Sequence, residues 1–139
     1  MRIPFLDLRR QPRGDLEAAL ARVLDRGQFI LSDQVAQFEE AFAAYCGTGH
    51  AIGVASGTDA ITVALLAAGI QPGDEVITAP NTCVPTIVGI ERAGARPVLA
   101  DVDAITYTLD PREVDRRLTS RTRAISRSTS TARPPTWAR

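Results

Sequence analysis

Between residues 51 and 125 short apolar runs alternate with helical stretches, and this alternation limits the fold more than any other property of the chain. Ala51-Ile52-Gly53-Val54-Ala55 reads as a buried strand. Ser56-Gly57 then turns into a helix from Thr58 to about Ala68, which Gly69 stops. Pro72-Gly73-Asp74 is a turn, and Glu75 to Thr78 is a second strand. A helix follows from Thr82 to Arg92, with Pro85 tolerated in its first turn, and Pro97 to Ala100 is a third strand. Asp110-Pro111 opens one more helix through Leu118, and Arg123-Ala124-Ile125 begins a further strand. Strand and helix alternating at this length predict an α/β fold with a parallel sheet and crossover helices, the first three strands sharing one sheet. The helix from Thr58 is expected to pack on that sheet through Ile61, Leu65 and Leu66.

The first fifty residues follow a different pattern. After an apolar arm, Ile3 to Leu8, a helix is expected from Asp15 to Arg26, with Leu16, Leu20, Val23 and Leu24 on one face and Gly27 as its stop. A loop around Phe29 leads to a second helix capped by Ser32 or Asp33, in which Val35, Phe38, Phe42 and Tyr45 recur at helical spacing. The formal net charge is zero, so no overall field draws the chain to nucleic acid or to an anionic membrane surface. The opening residues lack the apolar core of a signal peptide, and no run approaches the ~18 apolar residues of a membrane span, which makes a cytoplasmic protein the plain expectation. Cys46 and Cys83 match no zinc or redox spacing and read as free thiols, and the lone His50 reads as structural. All 16 basic residues are arginine, so chemistry that needs an amine side chain has no residue here to perform it.

Two segments offer ligand chemistry. In Ala55-Ser56-Gly57-Thr58-Asp59-Ala60 a strand end, a glycine turn and a helix start follow one another. The free N–H groups of a first helical turn and the positive end of its dipole favour a phosphate, and the Thr58 hydroxyl adds a donor. The same hexapeptide also reads as a capped helix after a tight turn. In Ala79-Pro80-Asn81-Thr82-Cys83-Val84-Pro85-Thr86, at the end of the next strand, Asn81, Thr82 and Thr86 offer hydrogen bonds where ligands of open α/β sheets collect. Cys83 taken alone reads as a buried small hydrophobe. Asp101 and Asp103 read as solvated loop carboxylates with no metal-ligand pattern around them.

From Ile3 to Ile125 the chain resembles the DegT-type (DegT/StrS) sugar aminotransferases, which depend on pyridoxal phosphate. The resemblance rests on Pro4-Phe5-Leu6-Asp7-Leu8, Phe38-Glu39-Glu40, Ala44-Tyr45-Cys46-Gly47, Ser56-Gly57-Thr58-Asp59-Ala60, Pro72-Gly73-Asp74-Glu75-Val76-Ile77, Gly94-Ala95-Arg96-Pro97-Val98 and Asp101-Val102-Asp103, in that order. It implies the N-terminal part of an aspartate-aminotransferase-type (PLP fold type I) large domain. It also implies transamination of a nucleotide-linked keto-sugar by an amino donor, and a homodimer for the intact relative. Gly57 and Thr58 would hold the cofactor phosphate. Cys83 would stand where many members carry an aromatic residue stacked on the cofactor ring, a departure that weakens stacking. Phe29, Asn81 and Thr86 would lie on the substrate side. The Schiff-base lysine of such enzymes has no counterpart in these residues, so no catalytic residue is assigned and the chain alone is expected to be inactive.

The expected organisation is an arm and partial large domain over 1–125, then a tail over 126–139 that departs from the family and has a disordered composition. Writing Ser126 to Ala132 with suitable synonymous codons and shifting by one base gives Pro-Val-His-Leu-Tyr-Gly, the continuation the family pattern calls for, so a frameshift after Ile125 is expected. Two other readings stand beside the aminotransferase: a phosphate- or cofactor-binding α/β module without turnover, and a remnant unable to fold.

Overall fold

A computed structural model describes residues 12–128 of the chain. They fall into two compact units, divided between Gly53 and Val54. In the first unit, α1 (Arg13–Arg26) and α2 (Asp33–Cys46) each end on a left-handed glycine, Gly27 and Gly47, both at φ 67°. The N–H of each glycine closes the last turn on Val23 and Leu24, or on Ala43 and Ala44. A side chain at either position would be strained by the positive φ, which is why the helical pattern stops there. An Arg26–Asp33 ion pair ties the end of α1 to the start of α2. Along α2, Phe38 stacks on Phe42 at 5.6 Å between ring centroids, and Phe42 meets Tyr45 at 6.4 Å. The predicted apolar faces exist, but Leu16, Leu20, Leu24, Phe38, Phe42 and Tyr45 are all exposed within the described residues.

The second unit is a three-stranded parallel sheet with helices, in the order β2-β1-β3: β1 (Glu75–Thr78) lies between β2 (Arg96–Leu99) and β3 (Thr122–Ser126). The helices are α3 (Gly57–Ala67), α4 (Val84–Arg92) and α5 (Pro111–Arg117). β1 is buried along its whole length because both of its faces are covered. Val76 packs on one side with Leu65, Ile70, Ile90, Ala93 and Ala95, while Ile77 packs on the other with Ala79, Ala100, Leu109 and Val114. Neighbouring residues of a strand point to opposite faces, so one dipeptide anchors both cores, each side chain contributing about 1.5–3 kcal/mol. Along β2, Arg96 and Ala100 donate to Asp74 and Thr78 at 2.8 and 3.0 Å, so the alternate positions Pro97 and Leu99 face away from β1. Pro97 therefore stands where its missing N–H costs no ladder bond.

Two expectations fail. Residues 51–55 form no strand: Ile52 is 78% exposed, and the three paired strands include no partner for this segment. A strand exists only as one side of a ladder, and here the Gly53 N–H donates to Glu39 of α2 at 2.6 Å instead. Leu66 does not pack on the sheet but is half-exposed, whereas Ile61 and Leu65 do join the core. The strand expected at 97–100 is Arg96–Leu99, and the last strand runs to Ser126, one residue into the expected tail. The arm Ile3 to Leu8 and residues 129–139 of the tail lie outside the described residues.

Glu75, a strand residue to which the sequence assigns no role, is fully buried at the start of β1. Its carboxylate accepts hydrogen bonds from Thr119 Oγ1 at 2.7 Å, Arg96 Nη2 at 2.6 Å and Arg121 Nε at 3.1 Å. The Thr119 hydroxyl and the two guanidinium groups outweigh burial and hold its pKa down to about 2. One side chain thus joins the starts of all three strands.

Candidate functional site

α3 opens on Ser56, whose extended backbone (φ −159°) breaks the helical run and whose Oγ accepts the Asp59 N–H at 3.2 Å. The same Oγ donates to Asp59 Oδ2 at 2.8 Å, so the cap is reciprocal. Gly57 and Thr58 occupy the first two helical positions, and their N–H groups meet no acceptor among the described residues. Gly57 has no positive φ, and a Cβ built on it meets nothing within 4 Å. The space on the Cβ side of Gly57 is therefore open. The capped-helix reading holds, and the cap leaves two donors free at the positive end of the helix.

What fixes this turn is α4. A Cβ on Gly89 would lie 3.0 Å from Ile61 Cβ, Ile61 Cγ2 and the Thr58 carbonyl oxygen, so only glycine permits this approach without displacement. Thr62 Oγ1 lies 3.0 Å from the Gly89 carbonyl and 3.1 Å from that of Thr58, sharing its proton between the two helices. Arg92 Nη1 reaches Asp59 Oδ1 at 3.3 Å. Sequence reasoning missed Thr62, Gly89 and Arg92; the one available signal was a glycine inside a helical pattern, which calls for a packing reason.

The loop after β1 is tied elsewhere. Asn81 Nδ2 donates to the Tyr107 carbonyl at 3.1 Å, and the Thr82 and Thr86 hydroxyls share a hydrogen bond of 2.8 Å. Tyr107 adopts a left-handed backbone (φ 57°), and its N–H donates to the Asp103 carbonyl at 2.8 Å. The Asp103 carboxylate accepts the Thr106 and Ile105 N–H groups at 2.7 and 3.0 Å, bonds that lower its pKa, the Thr106 N–H most. Asp103 thus organises a turn rather than standing free in solvent. Cys83 is the N-cap residue of α4 and is exposed, which overturns the buried-thiol reading: a cap lies outside the helix, ahead of the face that packs on the core. Phe29 belongs to the first unit, in the loop after Gly27, and is 65% exposed. Among the described residues, then, α3 and α4 are joined through Gly89 and Arg92, whereas Asn81 joins the loops after β1 and β2.

A parallel sheet with crossover helices and a capped helix start that leaves two N–H donors free defines an α/β protein. Residues 11–128 match the DegT/DnrJ/EryC1/StrS aminotransferase family. The chain belongs to that family. It is 45% identical over 126 residues to dTDP-3-amino-3,6-dideoxy-alpha-D-galactopyranose transaminase of Aneurinibacillus thermoaerophilus, covering 88% of this chain and 35% of the relative. It is also 45% identical over 127 residues to dTDP-3-amino-3,4,6-trideoxy-alpha-D-glucose transaminase of Streptomyces venezuelae, covering 89% and 34%. Among solved structures, S. venezuelae DesV in complex with a ketimine intermediate matches with a TM-score of 0.91 and 42% identity, over 96% of this chain and 37% of that one. NtdA of Bacillus subtilis with bound pyridoxamine phosphate matches with a TM-score of 0.82 and 32% identity, over 89% and 29%. These neighbours are PLP fold type I aminotransferases, and the fold here is the corresponding part of that architecture. The chain spans about a third of the length of the curated relatives it matches. No helix among the described residues is long and apolar enough to cross a membrane.

Proposed function

We propose that these residues form the phosphate-holding portion of a pyridoxal-phosphate-dependent enzyme that aminates a nucleotide-linked keto-sugar. The observation that carries this reading is the pair of unsatisfied N–H groups at Gly57 and Thr58, beside open space, in a chain of this family. Such donors at the positive end of an eleven-residue helix suit a phosphate. The Thr58 hydroxyl adds a further donor. When bound, the cofactor supplies the electron sink that lets an amino group pass between donor and keto-sugar.

The chain's own residues hold and orient. Cys83, exposed at the start of α4, offers a polarizable thiol to the cofactor ring in place of an aromatic side chain. Asn81 keeps its amide oxygen for a substrate donor while its nitrogen serves Tyr107. The Thr82–Thr86 pair spends one hydroxyl proton on itself and the accepting hydroxyl keeps its own to give; the family resemblance assigns Thr86 to the substrate side. Phe29, exposed in the first unit, is an apolar side chain that the family resemblance assigns to substrate, and the intact assembly is a homodimer that covers the apolar faces of α1 and α2. With no lysine, these 139 residues lack the side chain that attaches the cofactor and moves its proton, so alone they give no turnover.

The test compares this chain with a family-length chain that continues in the family's reading frame past Ile125. The longer protein is expected to elute as a dimer, to be yellow, and to lose that colour with borohydride. The present chain is expected to stay partly unfolded, through α1 and α2, and to show no borohydride-sensitive band. A colourless family-length protein would sink the aminotransferase reading.

A further inference from the structure

A phosphate-holding turn should not carry an uncompensated negative charge, yet Asp59 sits at the third position of α3, one residue after Thr58. Its carboxylate is not idle. Oδ2 accepts the Ser56 hydroxyl at 2.8 Å while the Asp59 N–H returns to Ser56 Oγ at 3.2 Å, so the residue is half of the cap that shapes the turn. A carboxylate in a first helical turn stabilises the empty helix, because it complements the dipole. The same charge opposes a second anion brought to the same N–H groups. Arg92, on the last turn of α4, reaches the other oxygen, Asp59 Oδ1, at 3.3 Å.

We infer that Arg92 is a positioning residue for the cofactor phosphate: it neutralises Asp59 from the neighbouring helix, letting one carboxylate cap α3 without repelling the ligand. The inference rests on the phosphate reading of Gly57 and Thr58. Arg92 is suited to this task because α3 and α4 are already locked together at Gly89, where the Thr62 hydroxyl lies 3.0 Å from the Gly89 carbonyl. The pair is therefore free to act on charge rather than to hold the helices. Its side chains are 58% and 37% exposed, so as a structural staple it contributes little. Its effect on a dianion held at the Gly57 and Thr58 N–H groups is larger, roughly three- to tenfold in affinity when the compensation is removed.

The two partners then have opposite signs, which a staple cannot produce. Binding is measured by equilibrium dialysis of the full chain against pyridoxamine phosphate and against pyridoxamine, neither of which can condense with the chain's α-amine. The expected result is a wild-type preference for the phosphorylated ligand. Arg92→Ala weakens that ligand roughly three- to tenfold, and Asp59→Asn strengthens it, with pyridoxamine unaffected in both. Arg92→Lys retains most of the wild-type affinity, and circular dichroism checks that each variant keeps its helices. Loss of affinity in both Arg92→Ala and Asp59→Asn, or equal loss for the two ligands, means a structural staple and overturns the inference alone. Absence of any preference in the wild type overturns the phosphate reading and the inference with it.

Discussion

Replacing Gly89 tests the joint between α3 and α4 directly, because the structure fixes what a new side chain would meet. The first added carbon would sit 3.0 Å from two atoms of Ile61 and from the Thr58 carbonyl oxygen, where about 3.6 Å is comfortable. Gly89→Ala also gains about 1 kcal/mol of helix propensity. A few tenths of an ångström of separation costs about the same, so the alanine variant is expected within about 1 kcal/mol of wild type. Gly89→Leu adds bulk that no flexible neighbour can yield to, since the Thr58 oxygen is backbone. It forces the helices apart at an overpacking cost of about 3 kcal/mol and breaks the 3.0 Å contact from Thr62 to the Gly89 carbonyl for about 1 more. Less the propensity gain, leucine should lie about 3 kcal/mol below wild type. Urea unfolding followed by circular dichroism reads this as a midpoint lower by more than about 1 M at unchanged slope. A leucine variant within about 1 kcal/mol of the alanine variant would show that the two helices do not meet at this point.

Acid should act on the sheet through Glu75, whose pKa is about 2 in the fold against an ordinary 4.5. A depressed carboxylate contributes stability that is complete above pH 4.5 and lost as pH falls through about 2, so Glu75→Gln should lower stability at pH 7 and flatten the dependence between those values; equal slopes for the two proteins would refute the cluster. In the loop after β2, Tyr107→Gly relieves a left-handed backbone, and Asn81→Asp sets a carboxylate against the Tyr107 carbonyl. The first should leave stability unchanged or raise it by up to about 1 kcal/mol, and the second should lower it by a similar amount, with the ordering of the two in thermal melts as the check.

The elements legible in the sequence are those whose signals are local. Gly27 and Gly47 stop their helices through their own φ, and Asp110 caps α5 by accepting the Arg112 N–H two residues on. β1 was legible because a short apolar run bounded by Pro72-Gly73-Asp74 and Pro80 has few alternatives to a buried strand. Residues 51–55 carry the same kind of run but are not a strand, because the run specifies burial and not the partner that completes a ladder. The joints that matter most for the site were illegible for the same reason. Thr62 to Gly89, Asp59 to Arg92 and Asn81 to Tyr107 link residues 26 to 33 apart in sequence, and no periodicity marks such pairs. The role of Glu75 is illegible in the sequence because its compensation comes from Arg96, Thr119 and Arg121, 21 to 46 residues on.

The helix start at Gly57 nonetheless forms where the strand before it does not, and the reason is the order of dependence. A phosphate turn needs a helix that starts at a fixed residue, and Ser56 and Asp59 set that start between themselves, within four residues. It then needs that start held against a neighbour, which α4 does through Gly89 from the far side of β1 in sequence. Neither step draws on a ladder through residues 51–55. The helix start at Gly57 and Thr58 is thus built from one local cap and one helix–helix contact, both complete within the described residues, while the apolar faces of α1 and α2 are exposed among them. Helices of 14 residues with no large buried apolar side chain are marginal in water. The second unit should therefore hold its shape under conditions that melt α1 and α2. Amide hydrogen exchange is the measurement, with protection expected along β1 and α4 and little along α1, and equal protection of the two units would contradict the argument.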